Sequence, residues 1–126
     1  MIQLDTNVLI GLADAETPVI RAVERWLGDR ETLAVSAVAW FEFNCGPLDE
    51  DAIGLIEHVI SGRIVGFNAA QAERAAELFN SAGRQRASRW DCMIAAAAIE
   101  SGARLATLNG ADFARFKAAG LDLVAV

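Results

Sequence analysis

The sequence predicts an α/β domain, a central parallel sheet of about five strands with helices on both faces. Short apolar runs of strand length alternate with longer segments of helical periodicity. No tight hairpin signal joins any two of the runs, so each return to the sheet must pass through a helix. Hydrophobic residues make up 54% of the 126 positions, enough to build one core. That length fits one compact domain, residues 1–126.

Ile2 to Leu4 form the first strand, ending at Asp5. Asp5-Thr6-Asn7 then supplies capping residues for a helix carrying Val8, Leu9, Ile10 and Leu12. Pro18, suited to a first helical position, opens a second helix through Leu27, with Val19, Ile20, Val23, Trp26 and Leu27 on one face. Leu33-Ala34-Val35 is the second strand. Ser36 caps a helix through Phe43, which Gly46-Pro47 ends. A helix from about Asp49 to Ile60 turns Ile53, Ile56, Val59 and Ile60 inward, and Arg63 to Phe67 is the third strand. Asn68 caps a helix over Ala70 to Ala82 that carries Ala72, Ala75, Ala76, Leu78 and Phe79. Gly83 to Arg89, polar and basic, reads as a loop. A strongly apolar helix runs from Ser88 or Arg89 through Glu100 and is closed by Gly102. Arg104 to Thr107 is the fourth strand, Ala111 to Ala119 a short helix, and Leu121 to Val126 the final strand.

Composition narrows the function. No apolar run approaches the roughly 18 to 20 residues needed to span a bilayer, and the first residues lack the pattern of a signal peptide. A cytoplasmic protein with no membrane partner is expected. Cys45 and Cys92 sit in apolar helical contexts and read as small core residues. Neither is closely spaced with His58, the single histidine, which argues against a zinc site. The net charge of −6 weighs against a general polyanion binder, so any contact with nucleic acid must be local.

Parallel sheets gather ligands beyond the carboxyl ends of their strands. Asp5 lies at one such end and Thr107 to Asn109 at another. Asp5 taken alone is equally well explained as a helix cap. Glu42 is harder to explain away, because it sits in Val38-Ala39-Trp40-Phe41-Glu42-Phe43. A carboxylate beside so much apolar surface is costly unless paired or metal-bound; the alternative is that the helix turns it to solvent. Asp91 falls in the first turn of a buried helix, where the helix dipole already favours an anion. Asp112 could complete a capping box with Asn109. Their common placement adds weight, since hard cations such as Mg²⁺ take oxygen ligands and need only a few carboxylates besides water and phosphate.

At these residues the chain resembles the PIN-domain family, and within it the VapC branch of bacterial toxin–antitoxin ribonucleases. Leu4-Asp5-Thr6-Asn7-Val8-Leu9-Ile10 resembles the first motif. Glu42 takes the place of the second acid, and the stretch from Gly83 to Ala96 resembles the third motif with Asp91 as its acid. Leu105 to Phe113 resembles the fourth block, with Thr107, Asn109 and Asp112. The resemblance implies an endoribonuclease dependent on Mg²⁺ or Mn²⁺ that cuts phosphodiester bonds with water, the metal activating that water. Asp5, Glu42 and Asp91 would be the metal ligands. Asp112 would join them catalytically, through a second ion or a water. Thr107 and Asn109 would hold the site by hydrogen bonds, and Asn7 would position Asp5 or a water. Arg84, Arg86 and Arg89 would contact RNA, their alternative being a solvated loop. A homodimer and an inhibitory antitoxin partner are implied as well, with Trp40, Phe41 and Phe43 as candidate groove aromatics, although core packing accounts for most of them.

Two other readings compete. A PIN fold without catalysis would only bind RNA or protein. A receiver or dehalogenase-like phosphotransfer domain would also place carboxylates at strand ends. The dehalogenase type requires an acid where this chain has Asn7, however, and the receiver type a strand-end lysine, whereas Lys117 falls in a helix.

Overall fold

The computed structural model describes residues 1–47 and 49–126. Among these residues the strands are β1 (Ile2–Leu4), β2 (Leu33–Ser36), β3 (Ile64–Val65), β4 (Arg104–Ala106) and β5 (Asp122–Val124). They form one five-stranded sheet in the order β3-β2-β1-β4-β5, and every pairing is parallel. The helices are α1 (Thr6–Ala13), α2 (Thr17–Gly28), α3 (Ala37–Asn44), α4 (Glu50–Val59), α5 (Ala69–Ser81), α6 (Arg89–Glu100) and α7 (Gly110–Phe113). Short 3₁₀ helices cover Arg86–Ser88 and Ala114–Ala119. None of the helices is long and apolar enough to cross a membrane.

The connections explain the two helical layers. From β1 the chain steps outward through β2 to β3, then crosses back over to β4 on the other side of β1. Right-handed crossovers in opposite directions put their helices on opposite faces. Thus α1 packs on α2, α3 and α4, while α5 packs on α6. The Gln3 side-chain amide donates to the Ala97 carbonyl at 3.4 Å, so this side of β1 faces α6. Strand alternation turns Ile2 and Leu4, both buried, the other way. Ala95 to Ala98 are wholly buried. Such small side chains let α6 lie close to its neighbours.

Capping follows the local sequence. The Asp5 carboxylate accepts from the Thr6 N–H, the Ser36 hydroxyl from Ala39 N–H at 3.1 Å, and the Asn68 side chain from Gln71 N–H at 2.9 Å. Pro18 lies in the first turn of α2.

Several boundaries and inward faces differ from expectation. The third strand keeps only Ile64 and Val65 of the expected Arg63 to Phe67. It is an edge strand, and its partner β2 ends at Ser36, which turns away to cap α3. The last strand is likewise held to Asp122–Val124 at the other edge. The expected helix from Ala111 to Ala119 is one α-helical turn followed by the 3₁₀ segment, and the basic loop contains the 3₁₀ turn Arg86–Ser88. Leu27 is exposed at the end of α2, and Ala72 and Ala76 face outward from α5. Cys92 is buried as expected, whereas Cys45 is exposed because it is the C-cap of α3, beyond that helix's buried side.

Candidate active site

The strand order reverses between β1 and β4, and the crevice there opens at the carboxyl ends of both. Asp5 follows β1 directly. Its N–H donates to the Ala106 carbonyl at 2.9 Å, continuing the ladder one residue beyond the strands. The Asp5 side chain is 5% exposed. One carboxylate oxygen accepts from Thr6 N–H at 2.8 Å, and the other from the Thr107 hydroxyl at 2.6 Å. Burial raises the Asp5 pKa above the ordinary Asp range, and the hydrogen bond from Thr107 opposes that rise.

Thr107 is the hub beneath the acid. Besides donating to Asp5, its oxygen accepts from Asn109 N–H at 3.0 Å and from the Asn7 side-chain amide at 3.3 Å. A hydroxyl has one proton to give and two lone pairs, so Thr107 is fully used. The Asn7 carbonyl oxygen in turn accepts from Leu108 N–H at 3.0 Å. Asn7 therefore braces Asp5 through Thr107 and ties the start of α1 to the end of β4. Asn109 serves this network through its backbone; its side chain does not cap α7, so the capping box with Asp112 does not form. Thr107→Val leaves the buried Asp5 oxygen and two donors without their shared partner. Its expected cost is about 1–3 kcal/mol, measured by urea unfolding, with Thr107→Ser close to wild type.

Glu42 comes from α3, which starts where β2 ends. It is half-buried rather than turned out to solvent, and accepts from the Thr6 hydroxyl at 3.0 Å. Thr6 thus links Asp5 to Glu42, its N–H on one acid and its hydroxyl on the other. Burial raises the Glu42 pKa most, and the charges of Asp5 and Asp91 raise it further. Asp91, in the first turn of α6, is also raised by burial and then by the charge of Asp5. Asp112 pushes in the same direction and Arg115 against it.

Four acids from four segments therefore lie close enough for their charges to act on Glu42 or Asp91. The charge of Asp5 raises both Glu42 and Asp91, and that of Asp91 raises Glu42, while Asp112 is exposed and acts on Asp91. Among the described residues, no three acids, histidines or cysteines form a ready metal cage. The donor set nevertheless fits a hard divalent cation, which keeps several waters and needs only one or two direct carboxylates. Positive charge placed among these acids would favour their ionised forms against the burial that raises all three.

The arginines are arranged differently from the acids. Arg84, in the left-handed region at φ 59°, donates to the Asn80 side chain at 2.9 Å and lies over Phe79. Arg89 donates to the Arg86 carbonyl at 3.1 Å, and both are exposed. Among the described residues, no ion pair joins Arg84, Arg86 or Arg89 to the acids. Arg115, which sequence reasoning missed, lies 3.7 Å from an Asp91 oxygen. Its only sequence signal was a position three residues beyond Asp112 in the fourth block.

The aromatic residues are split as well. Phe43 is buried, and Trp40 stacks on it and packs against the core. Phe41 is exposed and stacks on exposed Trp90, with ring centres 5.5 Å apart. Each of these two rings immediately precedes an acid, Glu42 or Asp91. A groove of about 280 Å³ between α1, α3 and α4 takes in Glu42 and the exposed Ile10.

Comparison of sequences with curated proteins finds no match. Among solved structures, the chain is similar to one in the crystal structure of VapBC2 from Rickettsia felis bound to a DNA fragment from their promoter. The TM-score is 0.76 at 23% identity, covering 100% of this chain and 99% of that one. A toxin-antitoxin complex from Klebsiella pneumoniae aligns at TM-score 0.73 and 26% identity, over 90% of this chain and 91% of that one. FitAcB from Neisseria gonorrhoeae aligns at 0.71 and 25%, over 98% and 96%. The family model that matches is the PIN domain, over residues 2–119, and the chain belongs to the PIN-domain family.

Proposed function

We propose that the chain is the toxin of a type II toxin–antitoxin pair, a VapC-type endoribonuclease that uses Mg²⁺ or Mn²⁺ to hydrolyse RNA phosphodiester bonds in the cytoplasm. The observation that carries this reading is the placement of three acids around the β1–β4 reversal: Asp5 directly after β1, Glu42 on α3 joined to Asp5 through Thr6, and Asp91 in the first turn of α6. The similarity to a chain in a toxin-antitoxin complex from Klebsiella pneumoniae supports it. Family membership removes the phosphotransfer alternative. Asn7 is engaged with Thr107 and Leu108, and Lys117 lies in the second 3₁₀ helix rather than at a strand end.

Asp5, Glu42 and Asp91 would hold the cation. When bound, such an ion lowers the pKa of water and offsets negative charge on the phosphate in the transition state. Thr107 and Asn7 keep Asp5 in one orientation, and Thr6 does the same for Glu42. Asp112 stands at the rim, where it can orient water or help hold a second ion. Arg84 and Arg86 from the basic loop, and Arg89 at the start of α6, would contact the RNA. An antitoxin segment lying across the crevice would find apolar surface at Ile10 and at the Phe41–Trp90 stack. A homodimer completes the proposal, to be read by sedimentation.

Incubating the protein with mixed RNA in Mn²⁺, Mg²⁺ or EDTA tests the activity. Cleavage that requires the cation is expected; persistence in EDTA would overturn the metal reading. Metal-independent RNA binding without cleavage would instead identify a non-catalytic PIN module.

Thermal unfolding in EDTA and in Mn²⁺ provides a second measurement. Above the ordinary values of 3.8 for Asp5 and Asp91 and 4.5 for Glu42, the folded state retains protons that the unfolded state has lost. The contribution of these acids to stability without metal therefore falls as pH rises through that window and the raised folded values. Mn²⁺ binds the ionised acids, so its stabilisation should grow over the same window. A Tm shift independent of pH from 4 to about 8 would contradict this.

A further inference from the structure

We infer that Arg115 is an exchangeable cation of this site: it neutralises Asp91 in the free protein and passes to the RNA phosphate when a divalent ion takes Asp91. The inference rests on the proposed nuclease reading and extends it to a residue outside the expected basic loop. Arg115 lies in the 3₁₀ helix that follows α7, three residues after Asp112. Its guanidinium is 3.7 Å from the Asp91 carboxylate and 4.8 Å from the centre of the Phe116 ring. Phe116 is buried and provides a fixed platform for the planar cation.

The contact with Asp91 has the character of a temporary one. It is a single long approach rather than a bidentate pair, and both side chains are about one-third exposed, at 34% each. Pairs of this kind hold weakly and exchange readily. Arg115 also lines a groove of about 340 Å³ between α5 and the 3₁₀ helix, together with Arg74 and Glu77. A divalent ion on Asp91 would repel it from the acid. A phosphate beside that ion presents the oxygens that a guanidinium binds through two parallel hydrogen bonds. Arg115 would thus compete with the metal for Asp91 while favouring the substrate.

That pairing predicts effects of opposite sign in one variant. Arg115→Gln should raise the KM for mixed-sequence RNA about 10- to 100-fold, the loss expected for one charge-assisted contact. The same variant, without RNA, should reach the midpoint of its Mn²⁺-dependent Tm rise at about threefold lower Mn²⁺. Arg115→Lys keeps the charge and much of the stem, and should recover part of the KM loss. Because these variants lie at a partly exposed position, the EDTA melting curve serves as the folding control. Unchanged KM and Mn²⁺ midpoint in Arg115→Gln, with an active wild type, would overturn this inference alone. A parallel loss of Mn²⁺ and RNA binding would overturn it too, indicating a structural role. A wild type that neither cleaves RNA nor responds to Mn²⁺ would overturn the nuclease reading, and this inference with it.

Discussion

Replacing Asp5 with Asn is expected to remove metal-dependent RNA cleavage, with a loss greater than about 100-fold, while leaving the fold in place. The magnitude follows from comparison with outer-shell groups around metal sites, whose removal already costs about 10- to 100-fold. The fold should survive because Asn is nearly isosteric and a good helix cap. Its side-chain oxygen can still accept from the Thr6 N–H, and α1 keeps its start. What the amide cannot supply is the anion buried between Thr6 and Thr107. Loss of cleavage with a cooperative melting transition kept in EDTA, its Tm lowered only by the lost Thr107 hydrogen bond, would separate the chemical role of Asp5 from its capping role. Undiminished cleavage would remove it from the metal site.

Phe113→Ala should produce the largest loss of stability, about 3–5 kcal/mol. Phe113 is 1% exposed and meets Phe116 edge-to-face, at 6.0 Å between ring centres. Its removal leaves a cavity under the turn carrying Asp112 and Arg115, where a short helix cannot easily collapse to fill it. A domain of 126 residues has about 6–19 kcal/mol of total stability, so the variant should still fold. Its Tm should fall by about 10–25 °C. Catalysis should drop as well, even below the new Tm, because the segment beside Asp91 loses its anchor. A Tm change under about 3 °C would show that this turn is not held by its aromatic pair.

The layout of the molecule was legible in local patterns. Strand-length apolar runs between amphipathic helices predicted the parallel sheet, and Asp5, Ser36 and Asn68 marked helix starts that the structure bears out. Boundaries failed where a neighbour decided them. β3 is short because its one partner ends at Ser36, and Cys45 is exposed because α3 ends at that residue. Neither cause is written in the residues nearby.

The site divides along the same line. The sequence by itself determined which side chains are acidic and that Asp5, Glu42, Asp91 and Asp112 stand near helix starts or strand ends. It also determined that Glu42 lies in an apolar stretch, where a carboxylate carries a desolvation cost. Only the tertiary structure decided which groups share a field. The adjacency of β1 and β4 brings Thr107 to Asp5 across 102 positions, and the packing of α1 near α3 brings Thr6 to Glu42. It also set Arg115, rather than the arginine-rich loop, against Asp91. Coulomb forces and hydrogen bonds act through space over a few ångströms, whereas sequence patterns report only neighbours along the chain.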